Sequence, residues 1–333
     1  MTAREIVKAA IGHEETSKIP YCIGFARGAY LKYQHELTEV FLSDDMKKAV
    51  TEGILEFKEA LSLSMGNHVF YITKKPWWNW HSVPDYYKTN YDAPDYLPQT
   101  RGIGSYEQFE EKIKFIKQTT DRYILLTVYG SHFEKANYCR GIENFLGDLG
   151  CNREFAKKLL DNIIRKNLVM LENLVSYDEI DGVILGSDWG SQQNLLMSPS
   201  IWRELIAPGE SKEYELLKSA NKDVWIHSCG NIELILPDLI DMGVDVLNPL
   251  QPEAMDIYKI KKNYGSKLCF WGGISTQITL PYGTTAEVRQ EVSQVINLMS
   301  QGGGYITAPA QEIQSDVPFE NILALLEAAK SYS

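Results

Sequence analysis

Two rhythms of apolar and polar residues run along this chain. Short β-branched or aromatic runs alternate with longer stretches whose apolar positions recur three and four apart, the marks of buried strands and amphipathic helices. Eight runs read as strands, at residues 20–25, 68–72, 123–129, 182–186, 224–227, 244–248, 268–271 and 305–307. Most are apolar on both faces, as expected of strands covered on both sides. The stretches between them carry helix start signals. Ser105 with Gln108, and Thr284 with Glu287, have capping-box spacing. Asn152 stands where it would cap a helix with apolar positions Phe155, Leu159, Ile163, Leu171 and Val175, and Ser198-Pro199 is a cap followed by proline at the first helical position. Eight strand-then-helix units predict an α/β fold, a closed (β/α)8 TIM barrel spanning residues 1–333 as one domain. The rival is an open doubly wound sheet. No Gly-x-Gly-x-x-Gly follows a strand, which leaves a dinucleotide fold without support.

One segment breaks the rhythm. Residues 73–101 hold Trp77, Trp78, Trp80, Tyr86, Tyr87, Tyr91 and Tyr96 with four prolines and no periodic element. A loop this long is usually functional or disordered, and its aromatic content argues against disorder. It reads either as a lid whose rings, Trp78 among them, stack on a flat ligand, or as a packed surface extension or dimer contact.

Composition narrows the class. With 333 residues, 44% of them hydrophobic, the chain has material for a sizeable core. A formal net charge of −11 and the lack of a Lys/Arg-rich run argue against a nucleic-acid partner. The five cysteines are odd in number, scattered and without a Cys-x-x-Cys, which predicts reduced thiols in a cytoplasm. The first residues are amphipathic and do not read as a signal peptide, and no run of about 18 apolar residues predicts a membrane span.

In a barrel the carboxyl ends of the strands carry the chemistry. The richest end is Trp225-Ile226-His227-Ser228-Cys229-Gly230-Asn231, where an imidazole and a thiol sit two apart between a strand and a helix. Zinc favours nitrogen and thiolate ligands, and such a pair reaches one ion. A zinc site needs three or four ligands, so the others come from elsewhere, with Glu253, Glu312, Asp188 or Cys269 as candidates; His68, His81 and His132 are further candidates with no spacing to recommend them. Cys269 sits in an apolar run and reads as core. Asp188, after the fourth strand candidate, is placed to orient a ligand or a metal-bound imidazole. Arg27 would clamp a carboxylate. Tyr129, Trp189, Gln192, Gln251 and Gln311 also follow strand candidates and suit substrate binding; the amides donate and accept hydrogen bonds but exchange no protons at neutral pH.

Asp188-Trp-Gly-Ser-Gln192, Met197-Ser-Pro199, His227-Ser-Cys229-Gly-Asn, Gly243-Val-Asp-Val-Leu-Asn-Pro, Gly272-Gly-Ile, Gly302-Gly-Gly-Tyr and Val317-Pro-x-Glu-Asn321 together resemble the uroporphyrinogen decarboxylase superfamily, and within it the corrinoid and coenzyme M methyltransferase branch. The resemblance implies a (β/α)8 barrel, and a methyltransferase moving a methyl group between a small substrate and a cobamide carried by a partner corrinoid protein. It implies a zinc site containing His227 and Cys229, with Glu253, or Gln251 beside it, near where related enzymes place a glutamate. It also marks a departure: Gln311 stands at the apparent position of a further cysteine. Barrels of this kind often form homodimers. The decarboxylases of the family differ more, for the second strand candidate lacks their aspartate and one arginine in the first loop cannot neutralise a porphyrinogen's carboxylates. The alternatives are a metal-free lyase acting on a carboxylated cyclic substrate, with Arg27 and Arg101 as anchors, and a non-catalytic binder of a corrinoid or aromatic ligand.

Overall fold

The structure is a computed structural model that describes residues 1–72, 105–128 and 131–333. The aromatic segment 73–101, with Trp78 and Arg101, and Tyr129 lie outside the described residues. Seven strands are present among the described residues: β1 (Val69–Ile72), β2 (Tyr123–Val128), β3 (Gly182–Gly186), β4 (Asp223–His227), β5 (Val246–Leu250), β6 (Cys269–Ile274) and β7 (Tyr305–Pro309). Helices lie between them in the chain, so the class is α/β, as expected. The chain divides into two compact units, one of residues 1–72, 110–125 and 245–333, the other of residues 73–109 and 126–244.

In the first unit β5, β6 and β7 pair in parallel, with Val246 opposite Cys269 and Phe270 opposite Tyr305. Segment 20–25, expected as a strand, forms none; it makes single bridges at Tyr21 and Phe25. Its Cys22 N–H donates to Thr307 O at 3.0 Å and Thr307 N–H to Pro20 O at 2.8 Å, so one side pairs with β7. On the other side Tyr21 O accepts from His68 N–H at 3.0 Å, but at Ile23 the Asn67 side chain takes the place of a backbone partner. Its Oδ1 accepts from Ile23 N–H and its Nδ2 donates to Ile23 O, both at 2.9 Å. The chain is therefore strand-like in position but laddered through an amide. Helix Thr285–Met299 starts with the expected capping box between Thr284 and Glu287 and packs against helix Phe319–Lys330.

In the second unit β3 and β4 pair in parallel, Gly182 opposite Asp223 through Gly186 opposite His227. Every residue of β3 is buried, as its unbroken apolar run predicts. Helix Arg153–Val175 buries Phe155, Leu159, Ile163, Leu171 and Leu174. The cap expected at Asn152 does not form, because that residue also ends the preceding helix Ile142–Cys151 and its N–H bonds Asp148 O. Ser198 does cap, accepting from Ile201 N–H with Pro199 at the first position. A π-turn, Trp202–Ile206, follows and runs into helix Ala207–Ser219. Among the described residues no helix is long and apolar enough to cross a membrane.

Two groups in the first unit make its stability testable. Lys112 Nζ lies 2.8 Å from both carboxylate oxygens of Glu59, and both side chains are almost wholly buried. Replacing Lys112 with Met strands the Glu59 carboxylate and is expected to cost about 3–5 kcal/mol in urea unfolding, with Glu59→Gln recovering much of it. No recovery in the double variant would refute this. His68 is buried, and that burial, aided by the charge of Arg122, pulls its imidazole down to about 4. The unfolded chain therefore binds a proton near pH 6.5 that the folded chain refuses. Stability should be full above that pH and fall as pH drops towards 4, by up to about 1.4 kcal/mol per pH unit. His68→Asn should flatten this slope; an unchanged acid limb would exclude His68 as its source.

Candidate functional site

The second unit brings together residues that lie 39 to 41 positions apart because β3 and β4 run parallel and stop at the same level. Beyond Gly186 and His227 the two strand ends are stitched. Ser187 N–H donates to His227 O at 2.8 Å, Trp189 N–H to Ser228 Oγ at 3.1 Å, and Cys229 N–H to Asp188 Oδ1 at 2.8 Å. Asn231 N–H donates to Ser191 O at 2.7 Å. The crossing is so close that Gly230, at φ +82°, admits no side chain: a Cβ there would lie 2.5 Å from Ser191 O. The Gly-Asn after the His-x-Cys pair is thus the consequence of two loops touching through their backbones.

Three ligand-type side chains meet at these ends. Cys229 Sγ lies 3.4 Å from His227 Nε2, and His227 Nε2 lies 3.7 Å from Asp188 Oδ1. The ligand atoms of all three residues fall within 4.8 Å of one another, and each residue is half-buried. One nitrogen, one sulfur and one oxygen donor at the open end of a parallel pair fit zinc, a borderline-soft ion that takes all three. The fit also explains the stitching: a carboxylate accepting the Cys229 N–H holds the thiol on the same side as the imidazole.

The other expected residues are placed as follows. Trp189 is fully buried and meets Trp202 edge-on at 5.4 Å, so it supports the loop from beneath. Gln192 is exposed on that loop. Arg27, Gln251, Glu253 and Gln311 belong to the first unit. Arg27 is exposed at the start of helix Arg27–Lys32. Gln251 is buried, and Gln311 Oε1 accepts from Glu312 N–H at 3.0 Å. Glu253 Oε1 accepts from Ser275 Oγ at 2.5 Å and from Gln277 N–H at 3.3 Å, which ties the carboxylate to the chain after β6.

Behind the strand ends lies a polar cluster the sequence reading did not assemble. Ser131, at the start of helix His132–Arg140, donates its N–H to Gly186 O and bonds Ser187 through its hydroxyl. Its hydroxyl also reaches Glu210 Oε1 at 2.7 Å, and Tyr214 donates to Glu210 Oε2 at 2.7 Å. Asn167 links Lys135 to Glu213, accepting from Nζ at 2.5 Å and donating to Oε1 at 2.6 Å. Burial disfavours a charged His132, but the neighbouring Glu210 outweighs it and raises the imidazole. Burial, with Glu210 beside it, raises Glu213. Burial and the charge of Asp188 push Glu134 up to about 7. The available signal was the pair Glu210 and Glu213, two acids one helical turn apart on a helix face that also carries Tyr214 and Leu217.

Comparison with known proteins sets these features in a family. The chain is 30% identical over 137 residues to a methylcobamide:CoM methyltransferase MtaA of Methanosarcina barkeri, and the match covers 41% of this chain and 38% of that protein. A second such protein, from Methanosarcina barkeri strain Fusaro, is 27% identical over 137 residues. The matched region therefore spans under half the length of these relatives. A methyltransferase structure from Methanosarcina mazei superposes over 100% of this chain and 99% of its own, with a TM-score of 0.70 at 20% identity, so the two share a fold. The family model described as uroporphyrinogen decarboxylase (URO-D) matches residues 88–332, and the chain belongs to that family.

Proposed function

We propose that this protein is a zinc-dependent methyltransferase that moves a methyl group between a small substrate and a corrinoid carried by a separate protein. The observation that carries the reading is the meeting of Asp188, His227 and Cys229 at the ends of β3 and β4. The partial likeness to the methylcobamide:CoM methyltransferases supports the reaction class. The reading also takes the parallel strands as parts of a closed (β/α)8 barrel, whose mouth is where those strand ends open.

His227 Nε2, Cys229 Sγ and Asp188 would hold the ion, with Asp188 in the role that Gln311 cannot fill. When bound, zinc would supply a positive charge that lowers the pKa of a substrate thiol or similar heteroatom, making it nucleophilic at neutral pH. The protein's part is positional. The Cys229 N–H bond to Asp188 and the Ser187 N–H bond to His227 O fix three donors before any ligand arrives, so binding costs little rearrangement. Half-burial leaves the donors reachable while the buried Trp189 and Trp202 keep the floor rigid.

Two outcomes test this. Purified protein should carry about one zinc per chain at the strand ends, and Cys229→Ala should lower its occupancy and remove methyl transfer from methylated cobalamin to a thiol by at least about a hundredfold. Zinc content and turnover unchanged by Cys229→Ala would refute the centre. Asp188→Asn keeps an acceptor for the Cys229 N–H but weakens the third donor. It should cost about 10–100-fold in zinc affinity by chelator competition, with the circular dichroism unchanged. Undiminished affinity in that variant would remove Asp188 from the ligand set.

A further inference from the structure

The buried cluster behind the strand ends has features that its protein groups alone do not satisfy. His132 is wholly buried, and its Nε2 lies 3.0 Å from Ile206 O. A carbonyl only accepts, so Nε2 carries the proton and the ring presents Nδ1 to the other side. The π-turn ending at Ile206 sets that carbonyl, and Gly209 gives the ring room: a Cβ there would sit 2.8 Å from His132 Nε2. Ring-nitrogen donation to a backbone carbonyl is the usual support of a metal-binding histidine.

Nδ1 lies 3.1 Å from Glu210 Oε1, yet the two are not aligned as a hydrogen bond. Were Nδ1 bare, its lone pair would face a carboxylate oxygen at contact distance, a repulsive arrangement in a dry interior. Were it protonated, it would pair with the carboxylate by charge, without a well-directed hydrogen bond. Glu213, also wholly buried, leaves Oε2 without a hydrogen-bond partner. The ligand atoms of His132, Glu210 and Glu213 lie within 4.8 Å of one another. Formal charge points the same way. Glu134 and Glu213 feel Lys135 as their neighbouring cation, Arg140 of the same helix being paired with Asp148, and Glu134 Oε2 is a further buried oxygen without a hydrogen-bond partner. A divalent cation balances these two acids and Glu210 against that lysine; with none, two protons are needed.

We propose that His132, Glu210 and Glu213 form a second, fully buried site for a divalent first-row cation, distinct from the Asp188, His227 and Cys229 centre. Its donors are one imidazole nitrogen and carboxylate oxygens, with no sulfur, a set that suits zinc, manganese or cobalt. Through Ser131, which bonds both Glu210 and Ser187, the ion would brace the end of β3 next to Asp188. The inference is independent of the function proposed above.

The test uses the full chain with His227→Ala and Cys229→Ala together, which empties the strand-end centre of its nitrogen and sulfur donors. Expressed in medium supplemented with zinc and then dialysed against chelator, it should retain about one ion per chain by elemental analysis. Adding Glu213→Gln, with circular dichroism confirming a folded chain, should remove that ion. Grown with cobalt, the His227/Cys229 variant should show ligand-field bands with no thiolate charge-transfer absorption, since the buried site has no sulfur. Metal content no higher in the His227/Cys229 variant than in apo protein, or retained in full by a folded Glu213→Gln chain, would overturn the proposal. In the first case the cluster is neutralised by protons.

Discussion

The site rests on two parallel strands ending at one level and being tied there by backbone bonds. Ser187 N–H to His227 O continues the β3–β4 ladder one step past the sheet, and Cys229 N–H to Asp188 closes it with a side chain. Parallel pairing fixes register along the whole ladder, and slipping by one residue would turn every side chain to the opposite face. The convergence of imidazole, thiol and carboxylate is therefore a property of the ladder and not of any single contact. Gly230 belongs to the same constraint, because only a residue without Cβ lets the second loop pass beneath Ser191 at that distance.

Much of this was legible in local sequence. The apolar runs located every strand among the described residues, and the His-x-Cys motif located two of the three ligand-type side chains that meet at the strand ends, because both signals lie within a few residues. What failed was decided at long range. Segment 20–25 has the composition of a strand, but its laddering depends on Asn67, an amide more than 40 residues on that holds Ile23 from the side. Asn152 is the exception, missed for a local reason: it has the chemistry of a cap, yet it also ends the preceding helix and its side chain makes no cap bond.

The same distinction separates Asp188 from the buried cluster. Asp188 could be nominated because it follows a strand, although its pairing with Cys229 needed the β3–β4 register. His132 and Glu210 have no local relation at all, being 78 positions apart, and their meeting depends on two helices that both pack against helix Arg153–Val175. Polar residues on a buried helix face are the trace such networks leave in a sequence. Glu210 and Glu213, one turn apart among Tyr214 and Leu217, are such a trace.

The π-turn at Trp202–Ile206 has a consequence for how this helix came to carry its acids. A π-turn holds one residue more than an α-turn, so all that follows is rotated by about 100° relative to an uninterrupted helix. Wound as an uninterrupted α-helix, the same residues would gain regular hydrogen bonds, while Glu210 and Glu213 swung off the face that meets His132. Perfection of the helix and assembly of the cluster are thus mutually exclusive, and this chain keeps the irregular form.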